Sequence, residues 1–298
     1  MITFISGGAD SLKLIRAFRN LLYDNEITVV ANTSDCMWTD GNLVCPDLDD
    51  VIYLFSGTLN TLQWTGITGD TYSTYNMLEK IAGAHSYPIG EKARAISIAR
   101  SNILRKGGNL TDSTEFLSNY FGIISKILPA TDNRYSAYAE INNDTFLIPE
   151  FRNIYYDDYD ADFRASVKID LKKVPEISEK VKETIEKSDA VIIGPGRINT
   201  TLSPVFACRS LRNLLKKTFV ISVIPKMPKD YSPEKYPSYQ KMLEIYSSFS
   251  DVIIQDIKED MNIAGAVRLN TGLKSRHDAE SFAWEIMSVV RSRSNKIV

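Results

Sequence analysis

MITFISGGADSLKLIRAFRNLLYDNEITVVA, residues 1–31, reads as strand, turn, helix and strand in succession. Residues 2–5 and 27–31 are short apolar runs with one threonine each, and residues 12–22 between them space apolar side chains three and four apart. Strands buried on both faces of a parallel sheet read as such runs, and a helix-period segment joining two of them is the crossover between neighbours. The alternation continues with a helical segment at 49–55 and then returns: 190–193 before 202–215, 218–223 before 239–249, and 251–254. This rhythm predicts an α/β fold, a parallel sheet with helices on both faces, whose ligands bind outside the carboxyl ends of the strands.

The middle of the chain breaks the rhythm. Residues 71–120 are helix-rich, residues 127–148 hold short strands punctuated by polar residues, and 71–164 is expected to be a mixed α+β insertion or lid on a core made of 1–70 and 165–298. The segment IYYDDYDADF at 154–163 has neither period and predicts an exposed loop; its Asp158, Asp160 and Asp162 imitate a calcium loop without the required glycine and closing glutamate. LTDSTE at 110–115 predicts a capping box with Thr111 or Asp112 as N-cap and Glu115 near N3. The C-terminal helix at 278–292 presents Phe282, Ile286 and Val289 for packing.

The 298 residues carry 35 basic and 37 acidic side chains, a net charge of −2 that gives no field for nucleic acid or an anionic membrane. Small molecules are the expected partners. Cys36, Cys45 and Cys208 show no paired spacing and no histidine cluster, which argues against a disulfide framework and a structural zinc site. No apolar run approaches the roughly 18 residues needed to cross a bilayer, and no leader pattern opens the chain, so a cytoplasmic location is expected. The many tyrosines of the middle region permit a homodimer interface.

Chemistry is expected at the strand ends. Between Asn32 and Asp50 stand five carboxylates (Asp35, Asp40, Asp47, Asp49, Asp50) and no Lys or Arg, directly after a buried strand. Such acids hold a cation, orient donor groups or move protons, whereas Asp40 and Asp50 read as turn and helix-start residues. Gly7-Gly8 and Gly194-Pro195-Gly196 each lie between a strand and a helix, where backbone N–H groups and the positive helix end favour an anion. Lys13, Arg197 and the Thr200 and Thr201 hydroxyls belong with them, with Asp10 or Ser11 capping the first helix. The first turn has neither the GxGxxG nor the GK[ST] spacing. Lys92 and Arg94 sit near a helix start, where cations oppose the macrodipole, and so call for a ligand or carboxylate partner. His85 and His277 lack metal-ligand spacing, and no Ser-His-Asp or Cys-His set is present. Trp38 and Trp64 flank the acidic stretch and could stack on an aromatic ligand.

SGG followed by Lys13-Leu14, then NTSDCMW, GNLVCPDLDDVIYLFSG, IGEKARA, SNIL and LTDSTEFL resemble the 2-phospho-L-lactate transferase (CofD) family in order and spacing. That resemblance implies a Rossmann-like fold and magnesium-dependent transfer of a phospholactyl-type group from a guanosine-diphosphate-activated donor to a deazariboflavin acceptor. It further implies that Asp49 contacts the acceptor and that Lys92 stands where the family has an arginine. The expected site then has Asp47 and Asp49 as catalytic residues, with Asp49, Lys92, Arg94 and Trp38 around the acceptor. Gly7, Gly8, Lys13, Asn32, Gly194, Gly196, Arg197 and Thr200 are expected on the nucleotide and its phosphates, and Asp35 and Asp47 on Mg2+. GGADSLKL departs from the family's GGTGTPKL, and Asp35-Cys36 from an acidic pair. GPGRINTTLSP resembles the GPG loop of the related gluconeogenesis-factor family, which binds uridine-diphosphate sugars. The alternative function is therefore a non-catalytic, nucleotide-sugar-binding regulatory protein of the same superfamily.

Overall fold

The computed structural model describes residues 1–83, 87–155, 158, 160–170, 174–228 and 230–294. His85 lies outside them. In chain order the elements are β1 (Ile2–Ser6), α1 (Gly8–Phe18), β2 (Ile27–Ala31), β3 (Met37–Thr39), β4 (Asn42–Val44) and α2 (Pro46–Ser56). There follow α3 (Ser73–Ala82), α4 (Glu91–Arg105), α5 (Leu110–Tyr120), β5 (Lys126–Pro129), β6 (Ser136–Ile141), β7 (Asp144–Leu147), α6 (Ile148–Ile154) and α7 (Asp160–Arg164). The remainder is β8 (Ser166–Asp170), α8 (Glu179–Glu186), β9 (Ala190–Ile193), α9 (Arg209–Leu215), β10 (Val220–Val223), α10 (Pro237–Ser247), β11 (Val252–Asp256), β12 (Val267–Leu269) and α11 (Arg276–Ser294).

Seven parallel strands form the main sheet in the order β12-β11-β10-β9-β1-β2-β5. The central strands β1, β2, β9 and β10 are buried along their whole length, in keeping with their apolar runs and the small hydroxyl side chains Thr3, Ser6, Thr28 and Ser222 among them. One core lies under α1, α2 and α11 through Leu14, Ile15, Ile52, Phe282 and Ile286; the other lies under α8, α9 and α10 through Val181, Leu211, Tyr239 and Tyr246. The α/β architecture with helices on both faces is thus the one the alternation predicts. From β1 the chain proceeds to β2 and β5 on one side, and from β9 to β12 on the other. The strand order reverses between β1 and β9, and the crevice at their carboxyl ends is where such a sheet binds ligands.

The boundary expected around 71–164 is crossed twice. β5, inside that range, pairs with β2 as an edge of the main sheet, whereas β8, beyond it, joins β6 and β7 in a small antiparallel sheet. Four-residue strands give one sequence signal whichever sheet receives them. The tyrosine- and aspartate-rich segment is not an exposed loop throughout: α7 buries Asp162 and Phe163. The cap of α5 is Asn109, whose side chain accepts from the Asp112 N–H (2.8 Å) while Asp112 accepts from the Asn109 N–H (2.9 Å), so the cap lies before Thr111 and Asp112, the two expected caps. Thr111 instead donates to Asp132.

Cys36 and Cys45 are paired as a disulfide, a correction to the reading of three unpaired thiols. The turn Asp40-Gly41 has positive φ at both residues, 49° and 75°, the conformation of a two-residue hairpin loop. It sets Met37 opposite Val44, so one step outward Cys36 faces Cys45 with their Cα atoms 4.1 Å apart.

Candidate active site

Two glycine turns meet at the crevice. A Cβ on Gly7 would lie 2.2 Å from Thr201 Cγ2 and 3.1 Å from Asp47 Oδ2, and one on Gly196 would lie 2.8 Å from the Gly7 carbonyl oxygen. Both positions need glycine for close approach of chain to chain. Gly7 caps α1 with extended backbone and no side-chain cap. Asp10 and Ser11 do not cap it: Asp10 pairs with Lys13 (2.8 Å), and Ser11 Oγ donates to the Pro195 carbonyl (2.5 Å), tying the two turns together. Gly7→Ala is expected to lower stability by about 1–3 kcal/mol through overpacking. Adding Thr201→Ser, which removes the obstructing methyl, should recover most of the loss in urea denaturation.

Asp47, at the start of α2, is the hub of the crevice. Its Oδ1 accepts from the Gly8 N–H (3.0 Å) and from Arg152 (2.7 Å), and its Oδ2 from Asn32 Nδ2 (2.8 Å). The Asp47 N–H donates to Asp35 Oδ2 (2.8 Å), which also receives Arg152 at 3.3 Å. Asp35 Oδ1 is buried without a partner. Burial and the neighbouring Asp47 push the Asp35 carboxyl well above its ordinary range, against the pull of Arg152. Burial opposes the charge on Arg152, but Asp47 and Asp35 outweigh it and raise its basicity.

This carboxylate pair, expected to hold Mg2+, does not fit that ion as folded. Five hydrogen bonds, from Gly8, Asn32, the Asp47 N–H and twice from Arg152, occupy three of its four oxygens. Neither acid lines the two cavities over the strand ends, whereas magnesium keeps octahedral coordination and shares carboxylates with substrate phosphates. Among the described residues no group of three His, Cys, Asp or Glu side chains could hold a metal.

Two cavities open over the strand ends. The first, about 500 Å³, is lined by Gly8, Lys13, Trp64, Arg152, Gly196, Arg197 and Thr201 among others. The second, about 690 Å³, is lined by Asp49, Tyr53, Tyr72, Ile89 and Ala93 among others. They share Pro46, Asp50, Gln63, Thr65, Tyr87 and Asn153. Asp50 therefore stands at their seam. It is 3% exposed, burial pushes its carboxyl up to about 7, and the Gly66 N–H and the Thr65 hydroxyl favour the ionised form without reversing the rise. Asp47 adds to that rise and Arg152 opposes it. Sequence reading gave Asp50 to helix initiation, yet the signal was present: positions 47 and 50 share a face of a helix, and position 49 does not.

The other expected residues divide between the cavities and the scaffold. Asp49 lines the second cavity, but its carboxylate is held by Arg100, with Nη1 3.0 Å from Oδ2 and Nη2 on Oδ1. Lys92 places its ammonium on the carbonyls of Thr68 (3.3 Å) and Gly69 (3.0 Å), and Arg94 pairs with Asp40 (3.0 Å) in the hairpin turn. Both thus meet backbone or carboxylate oxygens. Trp38 lines a third cavity that shares no lining residue with the first two, with the Arg134 and Arg105 guanidinium groups 5.0 and 5.9 Å from its ring. It is Trp64 that borders the first cavity, held at φ 58° with Arg16 4.4 Å from its ring. Asn32 is buried between Asp47 and the Ser34 N–H.

The second glycine turn also differs from a simple phosphate cradle. Beyond Arg197 the chain makes a wide helical turn, Ile198–Leu202, whose first N–H groups meet Asp162: Oδ1 accepts the Thr200 N–H (2.9 Å) and hydroxyl (2.5 Å), and Oδ2 the Asn199 N–H (3.1 Å). A protein carboxylate from α7 takes these donors. Thr200 and Gly194 are set back in the scaffold, and Gly196, Arg197 and Thr201 form the wall. Thr201 Oγ1 is buried with no hydrogen-bond partner.

The family model of 2-phospho-L-lactate transferase CofD matches residues 2–293. A 2-phospho-L-lactate transferase of Methanocorpusculum labreanum is 35% identical, over 97% of this chain and 98% of its own. One of Methanosarcina mazei is 34% identical, over 100% of this chain and 94% of its own. Among solved structures, a UPF0052-family protein of Bacillus halodurans superposes with a TM-score of 0.54 at 13% identity, covering 87% of this chain and 82% of that one.

Proposed function

This chain belongs to the 2-phospho-L-lactate transferase (CofD) family and is a transferase of that type, and on that premise we propose that it moves a phospholactyl-type group from a guanosine-diphosphate-activated donor to a deazariboflavin acceptor. The observation that carries the reading is the pair of cavities meeting at one buried carboxylate. The donor diphosphate would lie in the first cavity between the Gly8 and Gly196 turns, against Lys13, Arg197 and Thr201. The acceptor's flat ring would fill the second, between Tyr53, Tyr72 and Ile89 and above the Asp49–Arg100 pair.

In this scheme the acceptor hydroxyl attacks the phosphorus bearing the donated group across the seam. A new oxygen–phosphorus bond forms, the bond to guanosine monophosphate breaks, and Asp50 takes the hydroxyl proton. Asp50 thereby replaces Asp47 and Asp49 as the proposed base, because it alone of the three lines both cavities. Lys13 and Arg197, on the wall of the first cavity, supply positive charge for the developing negative charge. Magnesium is proposed only as a companion of the donor's diphosphate.

A thermal-shift panel tests the reading. Guanosine diphosphate or deazariboflavin at a hundred times its dissociation constant should each stabilise the protein by about 2.7 kcal/mol. Stabilisation by uridine-diphosphate sugars alone would reject the transferase reading in favour of nucleotide-sugar binding.

A further inference from the structure

We propose that Arg152 is the resident cation of the Asp35–Asp47 pair, a positioning residue standing where a divalent ion would otherwise sit. Its guanidinium reaches Asp35 Oδ2 at 3.3 Å and Asp47 Oδ1 at 2.7 Å, bridging two side chains that are themselves fully buried. The arginine is partly exposed, 19% by its side chain, and lines the first cavity that the two acids do not reach. It therefore screens the pair from whatever occupies that cavity and passes their geometry to it.

The placement has consequences for the Gly8 turn. Asp47 Oδ1 receives both Arg152 and the Gly8 N–H, so the arginine helps decide where Asp47 holds the turn. Arg152 arrives on α6, from the region between the main-sheet strands β5 and β9, with the helix anchored by Ile148 and Phe151 in the small core. Seating of α6 and neutralisation of the acidic pair are one event. The orphaned Asp35 Oδ1 marks what would change without the arginine: the pair would lose its cation and present an oxygen already unpartnered to any cation able to enter.

The inference does not depend on which donor or acceptor is used, and its test reads ion binding rather than turnover. Manganese(II) alone is titrated into the whole protein without nucleotide and followed by electron paramagnetic resonance. The wild type should leave the ion free, Arg152→Met should take up one ion per chain, and Arg152→Met with Asp35→Asn should release it again. Arg152→Lys, which keeps the charge, should gain no ion. Uptake by the wild type that Asp35→Asn abolishes would overturn the proposal, as would a folded Arg152→Met that gains none or an Arg152→Lys that gains as much as Arg152→Met. If Arg152→Met does not fold, adding Asp35→Asn should restore a cooperative melt, because only one acid of the pair then remains without its cation. Failure to recover would show the arginine to be packing alone and would also overturn it.

Discussion

Asp50→Asn is expected to lower kcat by about 10²–10⁴-fold while leaving the protein folded, and at alkaline pH more stable than the wild type. The substitution keeps an oxygen for the Gly66 N–H, which lies 2.8 Å from Asp50 Oδ1. What it removes is the titration. Folding raises this carboxyl from 3.8 to about 7, so the native state holds its proton more tightly than the unfolded chain does. The stability linked to that proton is fully present below the unfolded value and is lost as pH rises through about 7. At ~1.4 kcal/mol per unit the loss is of the order of 4 kcal/mol by pH 8. Comparing the wild type and Asp50→Asn by urea denaturation at pH 4 and pH 8 isolates this group from Asp35, whose carboxyl is also raised. The two proteins should be near-equal in acid and separate in alkali. Turnover moves the other way with pH, since a base must be ionised: wild-type kcat should rise through about pH 7. A mutant with unchanged kcat would remove Asp50 from the chemistry.

Breaking the Asp49–Arg100 pair is expected to be the largest single loss of stability. Arg100 is wholly buried on α4 and Asp49 nearly so on α2, and the ion pair joins those helices beneath the second cavity. Removing one partner leaves the other charge uncompensated in the interior, which costs about 3–5 kcal/mol. Arg100→Met should show that loss by urea denaturation. Asp49→Leu combined with Arg100→Met should recover most of it, because two apolar side chains of similar bulk replace the pair without a buried charge. Asp49→Asn, which a purely catalytic role would leave stable, should unfold early as well. An Arg100→Met protein as stable as the wild type would show that the pair is not closed in solution.

Much of the fold was legible in residues 1–31, because a strand buried on both faces leaves an apolar run and the following helix its own period. The two glycine turns were legible for the same reason, since each follows such a run. The site was legible in part. Asp47 and Asp35 were expected together and are together, but Arg152, which bridges them, lies more than a hundred positions away and leaves no periodic trace. Asp162 reads in sequence only as part of a calcium-loop imitation, because the segment around it has no period and its partners Asn199 and Thr200 come from the far side of β9. By contrast, the Cys36–Cys45 pairing could have been read from Asp40-Gly41: a two-residue turn centred there folds position 36 onto position 45. Assigning Asp50 to the seam needed only the helical register of α2, with Pro46 at its first position.

The most direct measurement is product formation. The protein is incubated with deazariboflavin and a guanosine-diphosphate-activated phospholactyl donor, or in a separate reaction its phosphoenolpyruvyl counterpart, and the mixture is resolved by chromatography with mass detection. Guanosine monophosphate and the acceptor carrying the donated phospho-acid should appear in equal amounts, and Asp50→Asn should slow both together by the same factor. Binding of donor and acceptor with neither product formed, while a uridine-diphosphate sugar binds in the first cavity, would contradict the account.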